Sequence, residues 1–382
     1  MKKLITDLVP HKYAGALSDL AFNGNNTIGR LWVNGAWASP VDENFYVSAT
    51  AANPFWLDKY RILRSNAFLV SRKKTQAFLD HLHDQRLSNR QKHAFEVAFL
   101  AGEVCSFLGL NSILAEAIAL GHDVGYPPFG SIGVQVLRDV SGKNFKHAGM
   151  SVIVLQDVEN GGRGWNLSYE TAIGISNHSF GKGKFEFNPS LSLEARVVAV
   201  VDKFSFVFGD IQDAFMIGYF KHQEDVPADY FHFGPDKFAR WQTCIAAFIQ
   251  ESVEKGTISF CDSDVAKRFN DLRTWSYEGF YGKIDREEPR TKAYAELLLG
   301  FNFLQACTKD NCGERFDPFL IFPLMTDTEA KLFVGYAQKG RTPTLDLLKK
   351  HHCVDNVSRF KLWHNPSAFD YNINPKHFHV SG

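Results

Sequence analysis

The sequence of 382 residues carries 42 Lys and Arg against 42 Asp and Glu, so its formal net charge is zero with histidine neutral. Because binding to nucleic acid or anionic lipid through bulk charge requires a surplus of cations, this balance argues against strong nucleic-acid binding. The apolar fraction of 45% and the charged fraction of 22% are typical of a globular chain and exclude a disordered one. The 34 Phe predict ring-filled cores, and the 14 His raise the question of where imidazoles cluster.

Targeting and redox signals are weak. The N-terminus begins MKKLITDLVP, where Asp7 and Pro10 interrupt the apolar run that a signal peptide needs. No stretch approaches the roughly 18 apolar residues of a bilayer-spanning helix. The cysteines form no C-x-x-C pair, which favours reduced thiols: Cys105, Cys244, Cys261, Cys307, Cys312 and Cys353. We therefore expect a cytoplasmic protein with no membrane association.

In chain order, residues 1–54 are predicted to be irregular or short-stranded, with turns at Asn23-Gly24 and Asn34-Gly35. The pattern becomes helical from about residue 58. The segment 92–108 repeats apolar residues and His93 at helical spacing, and Gly109 predicts its end. A second helix is predicted to run from a cap at Asn111 to His122.

Further helices are predicted over 131–140, 146–158, 168–178, 191–220, 237–255, 262–278 and 287–306. The stretch 336–344 is predicted to be a loop, and the last thirty residues have no regular pattern. No βαβ alternation occurs, so the predicted fold class is all-α, mainly helical. We divide the chain into an irregular N-terminal segment (1–54), a helical core (55–220) and a helical C-terminal region packed on that core (221–382).

Polar residues stand where three of the predicted helices should be apolar. His93 lies on the buried stripe of its helix, His122-Asp123 follows the apolar run AIAL, and Asp202 interrupts the run VVAVVDKF. A buried aspartate is costly unless it is paired or bound to metal, and helical cores build metal sites from facing helices. Two imidazoles and two carboxylates suit Mn²⁺, Fe²⁺, Co²⁺, Ni²⁺ or Zn²⁺. The sequence therefore predicts a divalent-metal site.

At these residues the chain resembles the HD-domain metallohydrolases, whose pattern is H…HD…D. The neighbouring text resembles the deoxynucleotide triphosphohydrolase (dGTPase-like) branch, over roughly residues 55–285. The matching stretches are DKYRILRSNAFLVSRKKTQAF (58–78), NRQKHAFEVA (89–98), AIALGHDVGYPPFG (117–130), FKHAGMS (145–151), NLSYETAIGISNH (166–178) and VVDKFSFVFGDIQDA (200–214). This resemblance implies an HD-domain helical core with a C-terminal helical extension.

The resemblance also implies roles for individual residues. The metal ligands would be His93, His122, Asp123 and Asp202, holding one divalent transition-metal ion or Mg²⁺, with two ions as the alternative. Phosphate contacts would come from Arg90, and Lys203 and Asp210 would face the triphosphate. Gln76 would lie near the sugar, and His147 would contact the phosphates beside the scissile bond.

The chain departs from the family where proton transfer is expected. The family reads H-D-x-G-H-x-P-F-G-H-x-x-E, but here Tyr126, Ser131 and Val134 replace the second His, the third His and the acid. A family tyrosine after the last ligand is Phe206. Losing a general acid or base costs about 10²–10⁴-fold in rate. His147 and Tyr126 are the candidates to substitute as catalytic groups.

Each site residue also has an ordinary structural interpretation, which the sequence leaves open. These interpretations are a core histidine (His93), a helix-end pair (His122-Asp123), a buried ion pair (Asp202), a solvated helix start (Arg90), structural histidines (His147, His178), packing (Tyr126), a surface pair (Lys203, Asp210) and a polar helix residue (Gln76).

Three functions compete at this stage. The first is a metal-dependent phosphohydrolase of nucleotides that converts a dNTP to deoxynucleoside and tripolyphosphate, or makes a related phosphate-ester cleavage. The second is a dinuclear iron oxygenase, in which His147 and His178 would be further metal ligands. The third is a nucleotide sensor that keeps the binding site without turnover. A nucleotide is the expected ligand, and the resemblance implies a homo-oligomer.

Overall fold

The computed structural model describes residues 9–22, 31–33, 36–38, 54–79, 84, 86–162, 164–179, 185–308 and 317–349. The described chain is mainly helical, which confirms the predicted all-α class. Its strands form one short antiparallel hairpin, β1 (Leu31–Val33) and β2 (Ala36–Ala38), in which Trp32 pairs with Trp37. The predicted turns at 23–24 and 34–35, Cys312, Cys353 and the last thirty residues lie outside these ranges.

Eight helices precede residue 180 in the described chain: α1 (Pro54–Arg64), α2 (Asn66–Val70), α3 (Arg90–Leu108), α4 (Ser112–Gly121), α5 (Ser131–Ser141), α6 (His147–Ile153), α7 (Glu159–Gly162) and α8 (Tyr169–Ser176). A π-helical turn over Val154–Val158 joins α6 to α7. Those that follow are α9 (Leu193–Met216), α10 (Asp229–His232), α11 (Lys237–Lys255), α12 (Asp264–Trp275), α13 (Gly282–Ile284), α14 (Glu288–Cys307), α15 (Pro318–Leu324), α16 (Asp327–Gln338) and α17 (Leu345–Lys349). No described helix has both the length and the apolar character needed to cross a bilayer.

Side-chain caps explain where the central helices begin. Asn111 accepts the backbone N–H of Leu114, which confirms the predicted cap, and Ser168 likewise accepts that of Thr171. Asn89 caps α3 in the same way. Gly109 ends α3 with a positive φ of 79°, a conformation that glycine adopts without steric cost.

The core of the site region is built from α3, α4, α8 and α9, which pack closely on one another. Gly174 in α8 allows this closeness, because a Cβ at this position would lie 2.4 Å from the Cδ1 atom of Ile118 in α4. The apolar stripe of α9 is fully buried, including Val198 and Val201. The two polar residues that follow this stripe, Asp202 and Lys203, are therefore carried into the interior.

Phenylalanine rings join α9 to the C-terminal half of the chain. The ring of Phe204 meets those of Phe248, Phe260 and Phe269 edge-on, at centroid distances of 6.1, 5.0 and 4.9 Å. Edge-to-face pairs add to the hydrophobic gain of burial. The predicted ring-filled core is therefore present here, and it fixes α9 against α11 and α12. All four described cysteines are free.

A buried polar cluster ties the last described helices to the loop after Asp123. Asp327, at the start of α16, accepts hydrogen bonds from the backbone N–H and the hydroxyl of Thr75 and from the backbone N–H of Phe129. Nearby, the Lys74 ammonium donates to the carbonyls of Tyr126 and Pro323, at 2.8 and 2.5 Å. Burial lowers the pKa of Lys74 to about 8, although Asp327 opposes that shift. Helices α15–α17 were not among the helices predicted from sequence.

Candidate active site

The structure brings the four predicted ligands together. His93 lies in the first turn of α3, His122-Asp123 directly follows α4, and Asp202 lies in α9. His93, His122 and Asp123 each offer a ligand atom, and these atoms lie within 4.8 Å of one another. Asp202 Oδ1 is 2.9 Å from His93 Nε2 and 3.8 Å from His122 Nε2. All four side chains are buried.

His122 has the hydrogen bonding of a metal-binding imidazole. Its Nδ1 atom lies 2.6 Å from the carbonyl oxygen of Ala119, so this nitrogen carries the proton and donates it. The other nitrogen, Nε2, faces the cluster, where it is buried without a hydrogen-bond partner 3.4 Å from Asp123 Oδ2. Burial opposes charge on this imidazole, but Asp123 outweighs burial and raises the pKa of His122, so an ion would bind here in place of a proton. Metal-ligating histidines commonly donate their second ring N–H to a backbone carbonyl in this way. The donor set therefore fits a divalent ion.

Both carboxylates in the cluster are held ionised. Burial by itself raises the pKa of Asp123, but His122 and Arg90 outweigh burial and hold this pKa well below its usual range. Burial likewise opposes the charge on Asp202, where Lys203 is the largest of the influences that keep its pKa low. The two carboxylates are therefore anionic at neutral pH, as ligands of a cation must be.

Arg90 is buried and does not lie at a solvated helix start. Its Nη1 atom lies 2.7 Å from Asp123 Oδ2, and its other nitrogens donate to the carbonyls of Thr75 and Gln76 at 3.0 Å. The guanidinium also lies 3.5 Å from the ring centroid of Tyr126. Arg90 thus orients Asp123 and lines the space beside it.

Lys203 and Asp210 are both buried, so the interpretation as a surface pair is wrong. The Lys203 ammonium lies 2.8 Å from Asp202 Oδ2, which makes Asp202 part of a buried ion pair as well as a member of the cluster. Asp210 instead accepts the hydroxyl of Tyr281 at 2.7 Å. Burial raises the pKa of Asp210 to about 7.

A second group adjoins the first through Asp123. Asp123, His147 and His178 offer ligand atoms within 4.8 Å of one another. His147 Nε2 lies 3.4 Å from Asp123 Oδ1 and 3.2 Å from His178 Nε2. Because His178 Nδ1 lies 2.7 Å from the carbonyl oxygen of Ile175, the Nε2 lone pair of His178 also faces inward.

The ring of Tyr126 is packed between the His147 imidazole and the Arg90 guanidinium. Its ring stacks on the His147 imidazole at a centroid distance of 4.1 Å, and the Arg90 guanidinium covers another part of it. Burial raises the pKa of Tyr126, so its hydroxyl stays protonated. Burial lowers the pKa of His147 well below its usual range, so this imidazole is neutral at pH 7.

The predicted site residues other than His122 line one cavity of about 250 Å³. Gln76 lies in a bend, not in a helix, and its Oε1 atom is buried without a hydrogen-bond partner. Sequence reasoning did not assign several other lining residues: Tyr277, Tyr281, Asp285 and Arg290. The two tyrosines begin and end the segment YEGFY (277–281), whereas no sequence signal marked Asp285 or Arg290.

At position 131, where the family pattern has its third histidine, Ser131 is contacted by an arginine from the C-terminal region. Arg290, at the start of α14, donates from Nη2 to the hydroxyl of Ser131, and its Nη1 donates to the carbonyl of Ala77 at 2.8 Å. Its Nε atom lies 2.9 Å from Asp285 Oδ1. A cation therefore reaches the cavity where the family pattern has an imidazole.

The comparisons agree with this geometry. The model of the HD domain matches residues 90–206, the interval that holds all four predicted ligands. Fold, site and match together define the class as a metal-dependent phosphohydrolase with an HD domain.

Proteins named deoxyguanosinetriphosphate triphosphohydrolase-like are similar over most of the chain. The relative from Caldanaerobacter subterraneus subsp. tengcongensis is 37% identical over 248 residues, which are 64% of this chain and 70% of the relative. The relative from Clostridium tetani is 34% identical over 255 residues, 65% of this chain and 72% of the relative. The chain belongs to the deoxyguanosinetriphosphate triphosphohydrolase-like family.

Proposed function

We propose that this protein hydrolyses a deoxynucleoside triphosphate to deoxynucleoside and tripolyphosphate. One observation carries the proposal: a single cavity combines the metal-binding cluster, the cations of Arg90 and Lys203, and the unpartnered amide oxygen of Gln76. The cluster and the two cations would bind the anionic phosphates of such a ligand, and the Gln76 amide oxygen would bind its neutral sugar. The printed names of the similar proteins support the same substrate class.

The ion would be held by His93, His122, Asp123 and Asp202. Mn²⁺, Fe²⁺, Co²⁺, Ni²⁺, Zn²⁺ and Mg²⁺ are the candidates, because the set mixes imidazole nitrogen with carboxylate oxygen. A bound divalent ion supplies Lewis-acid polarisation of a phosphoryl oxygen and a water of lowered pKa. Arg90 keeps Asp123 oriented toward the ion through the contact of 2.7 Å.

The substrate would lie with its phosphates toward Arg90 and Lys203 and its sugar toward Gln76 and Asp210. Both cations are buried, so their attraction for phosphate is little screened by water. Gln76 Oε1 can accept a hydrogen bond from a sugar hydroxyl without losing an existing hydrogen bond. Asp210 is already bonded to Tyr281, and we propose that this pair contacts the sugar side.

Proton transfer is assigned to His147 in this proposal. Its imidazole lines the cavity beside Asp123 and is neutral, so the ring nitrogen that does not donate to His178 can accept a proton. Tyr126 keeps its proton and stacks on His147, which holds the imidazole in plane. We therefore propose a catalytic role for His147 and a donor or packing role for Tyr126.

The decisive experiment incubates the protein with each dNTP and dNMP in the presence of Mn²⁺, Co²⁺, Fe²⁺ or Mg²⁺ and identifies the products. Deoxynucleoside and tripolyphosphate are expected in equal amounts. His122→Asn should abolish turnover, whereas the matched control His232→Asn, at an exposed histidine, should leave it unchanged. Failure to convert any nucleotide with every metal would overturn the proposal. Nucleotide binding without turnover would favour the sensor instead.

The second candidate function is a dinuclear iron oxygenase. The observation that favours it is the adjoining group of Asp123, His147 and His178, whose inward-facing nitrogens could hold a second ion. Metal analysis separates the two functions, because two irons per chain together with O₂ consumption would favour the oxygenase. The homo-oligomeric state and the cytoplasmic location stay predictions.

A further inference from the structure

The outer nitrogen of His93 begins a chain of hydrogen bonds that leads away from the cluster. His93 Nδ1 lies 3.2 Å from the hydroxyl oxygen of Ser205, one turn after Asp202 in α9. The Ser205 hydroxyl lies 3.0 Å from Glu96 Oε2 in α3, and the Lys237 ammonium donates to both Glu96 oxygens at 2.9 and 2.8 Å. Sequence reasoning assigned no role to Ser205, Glu96 or Lys237.

The single hydroxyl proton of Ser205 decides the protonation of His93. Glu96 is ion-paired with Lys237, and an ionised carboxylate can only accept, so Ser205 donates its proton to Glu96. The oxygen of Ser205 must then accept from His93, which requires a proton on Nδ1. Nε2 is then the nitrogen left to face Asp202 Oδ1, at 2.9 Å, where an ion can take the place of a proton.

We propose that Ser205 and Glu96 are positioning residues that set the tautomer and ring orientation of His93 for metal binding. The inference rests on the proposed metal site. At His122 the carbonyl oxygen of Ala119 alone places a proton on Nδ1 and fixes the ring. Helix α3 offers His93 no such carbonyl in the structure, so the side chains of α9 and α3 supply the acceptor. Outer contacts of this kind raise ligand basicity and fix ring geometry.

The arrangement is built into the fold and does not arise from chance surface contacts. Ser205 is 1% exposed, so water cannot take the place of His93 or Glu96 if either is removed. The Lys237 side chain also lies over the ring of Trp241, with its ammonium 4.7 Å from the ring centroid. This contact holds in place the ammonium that pairs with Glu96. The outer end of this series of hydrogen bonds, at Glu96 and Trp241, borders an open surface groove.

The test measures Mn²⁺ affinity by chelator competition in the full-length protein, without reference to turnover. Ser205→Ala should weaken Mn²⁺ binding about 10–100-fold, because loss of such outer contacts has this effect on metal sites. Glu96→Ala should weaken it in the same direction, since Ser205 is then free to donate to His93. Glu96→Gln retains an acceptor and should recover part of the affinity, and Ser205→Thr retains the hydroxyl and should recover most of it. Glu103→Ala, at an exposed position of the same helix, is the matched control and should bind like the wild type.

A second measurement follows the tautomer directly in the metal-free protein. With ¹⁵N-labelled histidine, the resonances of His93, identified by their loss in His93→Gln, should show a proton on Nδ1 in the wild type and its loss from Nδ1 in Ser205→Ala. Circular dichroism of the metal-free variants checks that they are folded. Equal Mn²⁺ affinity and an unchanged tautomer in both alanine variants would overturn the inference while leaving the metal site standing. A wild-type protein that binds no divalent ion would overturn the proposed function and this inference together.

Discussion

Asp327 accepts the backbone N–H of Phe129 at 2.8 Å, across 198 positions of sequence. Phe129 has a positive φ of 62°, a backbone conformation that costs free energy for a bulky residue. It lies in the loop that follows Asp123. The aspartate therefore stabilises a strained loop next to the metal-binding cluster, from a helix near the other end of the described chain.

The first prediction concerns this contact. Asp327→Ala should lower the free energy of unfolding by about 3–5 kcal/mol, because it leaves buried donors on Thr75 and Phe129 unpaired and removes a counter-charge of buried Lys74. Urea denaturation measures the loss. Asp346→Ala, at an exposed position in α17, is the control and should change little. A loss below about 1 kcal/mol would show that the loop holds its conformation without Asp327.

The second prediction concerns metal binding and thermal stability. A divalent ion bound only by the folded protein should raise its stability by about 2.7 kcal/mol at a free concentration one hundred times the dissociation constant. Chelation should reverse the rise in unfolding temperature. In His122→Asn the shift should be absent, since the unpartnered Nε2 is lost. If the variant shows the same metal-dependent shift as the wild type, the ion binds elsewhere.

The third prediction separates His147 from Tyr126. His147→Gln should reduce kcat about 10²–10⁴-fold if its imidazole transfers the proton. Tyr126→Phe keeps the ring between Arg90 and His147 and removes only the hydroxyl, so kcat should change less than about tenfold. Steady-state kinetics on the preferred dNTP measures both. The reverse order of effects would assign proton transfer to Tyr126.

The fourth prediction concerns the pH dependence of stability. Burial raises the pKa of Asp157 from 3.8 to about 7, and its Oδ2 has no hydrogen-bond partner. Between these two values the unfolded chain is ionised at this residue while the folded chain stays protonated. Stability therefore falls as pH rises through this window, at up to about 1.4 kcal/mol per pH unit. Above about pH 7 the full cost remains.

Asp157→Asn should remove this dependence and stabilise the protein at pH 8 by roughly 2–4 kcal/mol. Urea denaturation at pH 4.5, 6 and 8 measures the difference, which should be small at the lowest pH. Asp271→Asn, at an exposed position in α12, changes the charge equally and should show no such trend. A difference between Asp157→Asn and wild type that does not grow with pH would contradict the assignment.

The local sequence pattern was sufficient to predict the positions of the core helices. The cap at Asn111 and the stop at Gly109 were predicted because their signals lie within a few residues of the helix ends. The predicted helix over 92–108 differs from α3 by only two residues at its start. The predicted helix over 191–220 extended past both ends of α9, which begins at the Ser192 cap and ends at Met216. Apolar periodicity alone does not mark such ends.

The contacts that complete the site could not be predicted from local pattern, because their partners are far apart in sequence. Ser205 and Glu96 are separated by 109 positions, and Arg290 and Ser131 by 159. A serine after an aspartate and a glutamate on a helix are common, and only the crossing of α3 and α9 makes them neighbours. The surface-pair interpretation of Lys203 and Asp210 failed for the same reason, since burial depends on what packs over α9.

The contact between Arg290 and Ser131 limits which side chain position 131 can hold. A histidine restored at position 131 would meet a guanidinium that Ala77 and Asp285 already hold in place. A single change would therefore place two bulky groups in one space, and the arginine would have to be replaced first or together with the serine.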